Sequence, residues 1–362
     1  MAKKKIGIIT TGGDCSGLNT VIQRVVEGCT RRGWHVIGIK DGTDGLYANP
    51  PKTIDLTNET FQFALSHLAG SVLSNGNAHM TNFESSAKAG KLSTFNKKLQ
   101  KSLRDLDLDA LVLIGGNGSL SLAHMYREIY SGVQLVCVPK TIDMDVPKTD
   151  KTIGFDTAVQ QLVSYCDQLL LTARSHHRWF VVQTMGRDCG QLALHAGVAI
   201  AADAILIPEI KFDVENLIKH IKQSKRDYGI IMVSEGISIR GHSGEPANMI
   251  SRALNNANIP NRTAFPEYIQ RAGDTVATDR ILASGFADAA LKAIESGETY
   301  VMTVLQNGEY KTISLDEFFA AGKPQRDPKI IGAMTSNAYV EPDNILLHIA
   351  TDMGIYIGEK KK

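Results

Sequence analysis

The sequence predicts an α/β protein built as two Rossmann-like, three-layer lobes with largely parallel sheets, and three observations carry that expectation. Short β-rich apolar runs alternate with longer segments of helical spacing, the pattern of stacked βαβ units. Two of the strand-to-helix junctions are glycine-rich turns. With 362 residues, 43% of them hydrophobic, the chain has more core than one lobe is expected to hold.

The elements follow in order. Residues 6–10 form a short buried strand, interrupted by Gly7 and stopped by Thr10-Thr11-Gly12-Gly13-Asp14; the basic Lys3, Lys4 and Lys5 before it therefore do not begin an export signal. Strands are predicted at 36–39, 110–114, 134–138, 179–183, 204–207 and 229–233, with a strand-like segment at 263–270. Helical spacing covers 17–31, 95–106, 156–173, 214–225 and 277–296. The segment 307–343 is richer in Gly, Pro and charge and reads as a hairpin, helix and loop that close the fold. The expected division is 1–140 plus about 250–305 for one lobe, and about 141–249 plus 306–362 for the other.

Composition excludes several classes. Thirty-nine basic residues against 38 acidic ones leave no surplus to drive nucleic-acid binding, so any phosphate recognition must be local. No apolar run is long enough to cross a bilayer. The five cysteines are widely spaced, with no C-x-x-C pair and no zinc-ligand rhythm, which suits a reducing cytoplasm.

The first strand runs directly into Gly12-Gly13-Asp14-Cys15-Ser16-Gly17 and a helix, placing glycines where backbone amides can approach an anion. Such a turn is either a phosphate cradle or a plain tight connection. A second one, Gly115-Gly116-Asn117-Gly118-Ser119, follows the strand at 110–114, and in an open α/β sheet both fall at carboxyl ends of strands, where ligands bind. Neither matches G-x-G-x-x-G or the P-loop pattern, which argues against a nicotinamide-dependent dehydrogenase on a similar sheet.

After the strand at 134–138 comes Pro139-Lys140-Thr141-Ile142-Asp143-Met144-Asp145-Val146-Pro147. In an extended segment Asp143 and Asp145 would share a face, one serving as a base and one helping to hold a metal; the alternative is a solvated acidic loop pinned by two prolines. Arg178, Arg187, Arg262 and Arg271 stand at element ends, and together they suggest anion recognition. His176 and His177 end a helix, where their charge suits the dipole.

In order, GGDCSGLN, GGNGS, PKTIDMDV, IGFDTA, TMGR, SEG and YIQRAG resemble the motif series of the 6-phosphofructokinase family, from Lys5 to about Ser296. The resemblance implies a phosphofructokinase-like fold with the active site in the cleft between the lobes, and transfer of the terminal phosphoryl group of ATP to the 1-hydroxyl of fructose 6-phosphate. It implies Asp143 as general base beside Thr141, with Arg187 stabilising the transition state. Gly12, Gly116, Asn117, Gly118, Ser119 and Lys140 would meet the donor. Met185, Gly186 and Glu235 would hold the sugar, and Arg178, Arg262, Tyr268 and Arg271 its 6-phosphate, two of these arginines coming from a neighbouring subunit of a homotetramer or homodimer. Mg2+ is the implied cofactor, with Asn117 and Asp145 as its candidate protein contacts.

The chain departs from the family at two points. The second turn usually reads GGDGS, whereas here the aspartate is Asn117, and family members usually carry an arginine near Asn77. Loss of one anion and one cation leaves the local charge balanced, so the two asparagines are expected to compensate each other. On donor choice Gly118 resembles ATP users and Lys140 resembles pyrophosphate users; the open pocket at Gly118 favours ATP, with pyrophosphate second. A weakly active or regulatory sugar-phosphate-binding relative is the competing class, and a seven-carbon sugar phosphate the competing substrate.

Overall fold

The computed structural model describes residues 3–57, 66–76, 90–237, 245–324, 334–335, 340–341 and 343–358. Asn77 lies outside these residues. The chain forms two compact units, the first made of residues 1–141, 146–154 and 274–337, the second of 142–145, 155–273 and 338–362.

The first unit opens with β1 (Lys5–Thr10), α1 (Leu18–Arg31), β2 (His35–Ile39), α2 (Gly42–Tyr47), β3 (Thr53–Asp55) and α3 (Leu92–Asp105), then β4 (Ala110–Gly115), α4 (Asn117–Met125) and β5 (Gln134–Pro139). β4 is buried at every residue and β1 and β5 at all but their first, which is why they read as continuous apolar runs instead of alternating ones. They lie side by side in parallel at the centre of a seven-stranded sheet.

The second unit contains α5 (Phe155–Ser175), β6 (Trp179–Thr184), α6 (Gln191–Ala199), β7 (Ala204–Leu206), α7 (Val214–Gln223), β8 (Gly229–Ser234), α8 (Pro246–Asn256) and β9 (Asn261–Ala264). Its four-stranded sheet is parallel throughout, in the order β7-β8-β6-β9. Its core is aliphatic around Trp179, with Val181, Leu206, Ile231 and Val233 from the strands against Leu217, Ile221, Ile250 and Leu254 from the helices. A 3-10 turn, Glu267–Arg271, follows β9. The chain then returns to the first unit as α9 (Ala277–Ser296), β10 (Val301–Gln306), β11 (Glu309–Ser314) and α10 (Leu315–Ala321), and α11 (Ile345–Asp352) completes the second.

Two expectations are corrected. The expected lobes exchange segments: 250–273 belongs with the second unit, because β9 pairs with β6, and 306–321 belongs with the first, because the β10–β11 hairpin joins β5. The strand-like segment 263–270 is a short strand followed by a 3-10 turn, because Pro266 cannot continue the ladder.

Candidate active site

The glycine turns of the first unit are fixed by main-chain demands. Gly12 has φ +77° and Gly17, which caps α1, has φ +93°; a Cβ on Gly17 would stand 2.6 Å from the Ile153 side chain. The Gly17 N–H donates to Thr275 Oγ1 at 3.0 Å, tying the start of α1 to the segment leading into α9. At the second turn Gly116 caps α4, and the N–H groups of Asn117, Gly118 and Ser119 occupy the first helical turn, where no intrahelical acceptor exists. Gly116 approaches the main chain closely, since a Cβ there would lie 3.1 Å from the Lys140 carbonyl oxygen. Around Gly118 there is open space.

Lys140 connects the two turns. It is 3% exposed, and its ammonium donates to the Thr11 carbonyl at 3.0 Å and to the Gly13 carbonyl. A Cβ on Gly12 would meet that ammonium at 3.7 Å and Ser119 Oγ at 3.5 Å, so Gly12, Ser119 and Lys140 surround one space at the carboxyl ends of β1, β4 and β5. Thr141 follows, with its N–H donating to the Ile153 carbonyl at 3.1 Å and its own carbonyl accepting from Thr152 Oγ1 at 2.8 Å. These contacts close the base of the loop that carries the acid pair.

Asp143 and Asp145 do not share an extended face. Met144 between them has φ +54°, so the segment turns there, and the buried side chains of Ile142 and Val146 pin it on either side. Asp143 is 5% exposed and stands 3.6 Å from Arg187 Nε.

Arg187 lies in the tight turn after β6. Gly186 has φ +130°, where a Cβ would be 2.5 Å from the Cys189 carbonyl, and the Cys189 N–H donates back to the Gly186 carbonyl at 2.9 Å. The Arg187 N–H donates to Glu235 Oε1 at 2.7 Å, and the Glu235 N–H donates to the Thr184 carbonyl at 2.9 Å. The turn after β6 and the residue after β8 are therefore locked together at the carboxyl ends of the two inner strands of the sheet. Burial pushes the Glu235 carboxyl above its ordinary range; the Arg187 amide opposes that shift, and the Asp143 charge adds to it.

Met185 and Glu235 line an open pocket of about 530 Å³ with Gln183, Glu245, Phe265 and Tyr268. Gln183, Glu245 and Gln270 were not singled out in the sequence; the last is buried in the structure, and its place inside the YIQRAG motif was the signal available. Arg178 and Arg262 are elsewhere. Arg178 precedes β6, and Arg262 is paired in register with Phe180, so both stand at the amino end of β6, about 20 Å along the strand from Met185. Tyr268 and Arg271 lie on the 3-10 turn near the carboxyl end.

Among the described residues no group of three or more His, Cys, Asp or Glu side chains is placed to cage a metal ion. All five cysteines are buried, and none of them is in a disulfide. No helix of the described residues is long and apolar enough to cross a membrane.

A sequence model of the family described as phosphofructokinase matches residues 5–294. The chain belongs to the phosphofructokinase family. It is 34% identical to ATP-dependent 6-phosphofructokinase 1 of Nostoc sp., across 98% of this chain and 99% of that protein. Among phosphofructokinases of known structure, the one from Saccharomyces cerevisiae superposes with a TM-score of 0.78 at 25% identity, covering 97% of this chain and 48% of that one. The pyrophosphate-dependent phosphofructokinase from Marinobacter aquaeolei gives a TM-score of 0.74 at 21% identity, covering 99% and 92%, and shares the fold.

Proposed function

We propose that the protein is an ATP-dependent 6-phosphofructokinase, moving the terminal phosphoryl group of ATP to the 1-hydroxyl of fructose 6-phosphate. The observation that carries this reading is the enclosed Asp143 carboxylate beside the Arg187 guanidinium, on a loop that continues from the end of β5. A carboxylate so placed accepts the hydroxyl proton as the oxygen attacks, and the guanidinium supplies positive charge for the transferring group. Glu235 and the Met185–Gly186 main chain hold the acceptor, while Gly12 and the first turn of α4 hold the donor's phosphates.

Two observations favour ATP. The open space over Gly118 leaves room above the turn for a nucleotide. The Lys140 ammonium already gives two of its three N–H donors to the carbonyls of Thr11 and Gly13, which leaves it less to offer a pyrophosphate. The Nostoc relative is itself named for ATP.

Magnesium fits this donor set as an ion carried in by the donor's phosphates, because it keeps several waters and needs few protein ligands. Asn117 would contact it on the donor side through its amide oxygen, with Asp145 as the candidate carboxylate. When bound, the ion neutralises charge on the donor's phosphates. A cytoplasmic site of action accords with five cysteines outside any disulfide.

The test is direct. Protein with fructose 6-phosphate, magnesium and ATP should yield fructose 1,6-bisphosphate, and pyrophosphate should serve poorly in its place. Asp143→Asn should lower kcat by about 10²–10⁴-fold, the scale of a lost general base, with sugar binding retained. An Asp143→Asn protein as fast as wild type would overturn the mechanism.

A further inference from the structure

We propose that Gln270 is a positioning residue for sugar-phosphate recognition: a two-ended strut fixing the distance between the Met185 main chain and the 267–271 turn. The inference rests on reading this unit as the acceptor side of a phosphofructokinase.

Gln270 is 1% exposed, and both ends of its amide are engaged. Its Oε1 accepts the Met185 N–H at 3.0 Å, and its Nε2 donates to the Glu267 carbonyl at 3.0 Å. One partner is a donor and the other an acceptor, so the bridging side chain must offer both functions. An amide does so; a carboxylate offers only acceptors, and a thioether of similar size no useful donor.

The two partners end different elements. Ladder pairing between β6 and β9 runs from Trp179↔Asn261 to Val182↔Ala264 and stops there. Past that point the chain runs through the end of β6 to Met185 while the other strand turns into the 3-10 segment, and the Gln270 amide extends the connection beyond the ladder. Internal bonds shape the turn, from the Ile269 N–H to Pro266 and from the Ala272 N–H to Ile269, both at 3.1 Å. They do not set where the turn stands relative to Met185; the strut does.

Tyr268, 73% exposed, and Arg271 project from this same turn, and Met185, Glu267 and Tyr268 line the pocket with Gln270 itself. The aim of the groups assigned to the sugar phosphate therefore follows the length of the Gln270 bridge. Asp143 sits on a different segment, so loss of the strut should weaken acceptor binding far more than it slows transfer.

Gln270→Met keeps length and volume and removes both hydrogen bonds. It should raise KM for fructose 6-phosphate about ten-fold, the equivalent of one to two net hydrogen bonds, while kcat changes by less than about three-fold. Hydrogen exchange at the Met185 amide should accelerate. Gln270→Glu keeps the acceptor and loses the donor: Met185 should stay protected, the amides of the 268–271 turn should exchange faster, and KM should rise to an intermediate value. The exchange measurement needs no turnover, so a wild-type protein that phosphorylates no sugar would sink the functional reading without deciding the strut. Wild-type exchange at Met185 in Gln270→Met, or a fall in kcat with KM unchanged, would overturn the strut. Should Gln270→Met not fold, an unchanged KM in Gln270→Glu does the same.

Discussion

Among the carboxyl groups of the second unit that burial raises, Glu235 and Glu209 predict opposite dependences on pH. Glu235 accepts the Arg187 N–H, and its charged form is the better acceptor for that amide and for a sugar hydroxyl. As pH falls through its raised pKa, affinity for fructose 6-phosphate should fall, and Glu235→Gln should flatten the profile of KM against pH. Glu209 accepts the Gly190 N–H at 2.8 Å through Oε1, while Oε2 is enclosed with no hydrogen-bond partner among the described residues, and burial raises its pKa. A folded pKa above the unfolded value of 4.5 means that the proton is held more tightly in the fold. Its contribution to stability is fully present below about 4.5 and is lost as pH rises through the folded value. The Tm of wild type minus that of Glu209→Gln should therefore decrease between acidic and mildly alkaline pH; a constant difference would show that Glu209 keeps its ordinary pKa. At this scale the sequence was legible where chemistry is local. The tight turns at Gly12 and Gly116 could be picked out from their glycine-rich places at strand ends, whereas the geometry of Asp143 and Asp145 could not, because the left-handed Met144 between them leaves no mark in the sequence.

Elements here are joined by main-chain bonds at their ends, and the first glycine turn shows what depends on such a joint. Lys140 is the last residue before the acid loop, and its buried ammonium satisfies two carbonyls of a turn that follows a different strand. Lys140→Met should cost on the order of 1–3 kcal/mol, the penalty for leaving buried acceptors without a donor. It should also raise KM for the donor more than KM for the sugar, as checked by denaturant unfolding and steady-state kinetics; an equal rise in both would mean that the turn is not the structure it supports. Gly118 makes the complementary case. Because nothing lies within 4 Å of a Cβ there, Gly118→Asp should fold with an unchanged Tm yet raise KM for ATP at least ten-fold through obstruction and like charge. A lowered Tm would place the effect in the fold instead. The strands and helices named from apolar runs and helical spacing are present, with ends shifted by a residue or two in most cases, whereas α2, β3, α6 and α8 went unread. The segment 263–270 misled because β-rich composition outweighed Pro266, and the lobe boundary misled because a hairpin's partner strand is decided by tertiary pairing.

For the whole molecule, the placement of the arginines has the widest consequence. Arg187 stands with Glu235 at the carboxyl edge of the second sheet, while Arg178 and Arg262 lie at the amino end of β6, a strand length from the pocket beside Met185. An arginine side chain does not span that gap within one unit. If all of them bind one sugar phosphate, Arg178 and Arg262 must serve the pocket of a second copy, which requires an isologous interface that gives each subunit half of its partner's site. That arrangement predicts complementation. Arg262→Ala and Glu235→Gln should each be nearly inactive at low fructose 6-phosphate. Mixed by co-expression, half of random dimers are hybrids, and each hybrid carries one doubly defective site and one intact site. Recovered activity should approach about a quarter of wild type. It should also fall on dilution as subunits separate. A mixture no more active than its components would mean that both residues act within one chain, and the amino-end arginines would then belong to some other anion.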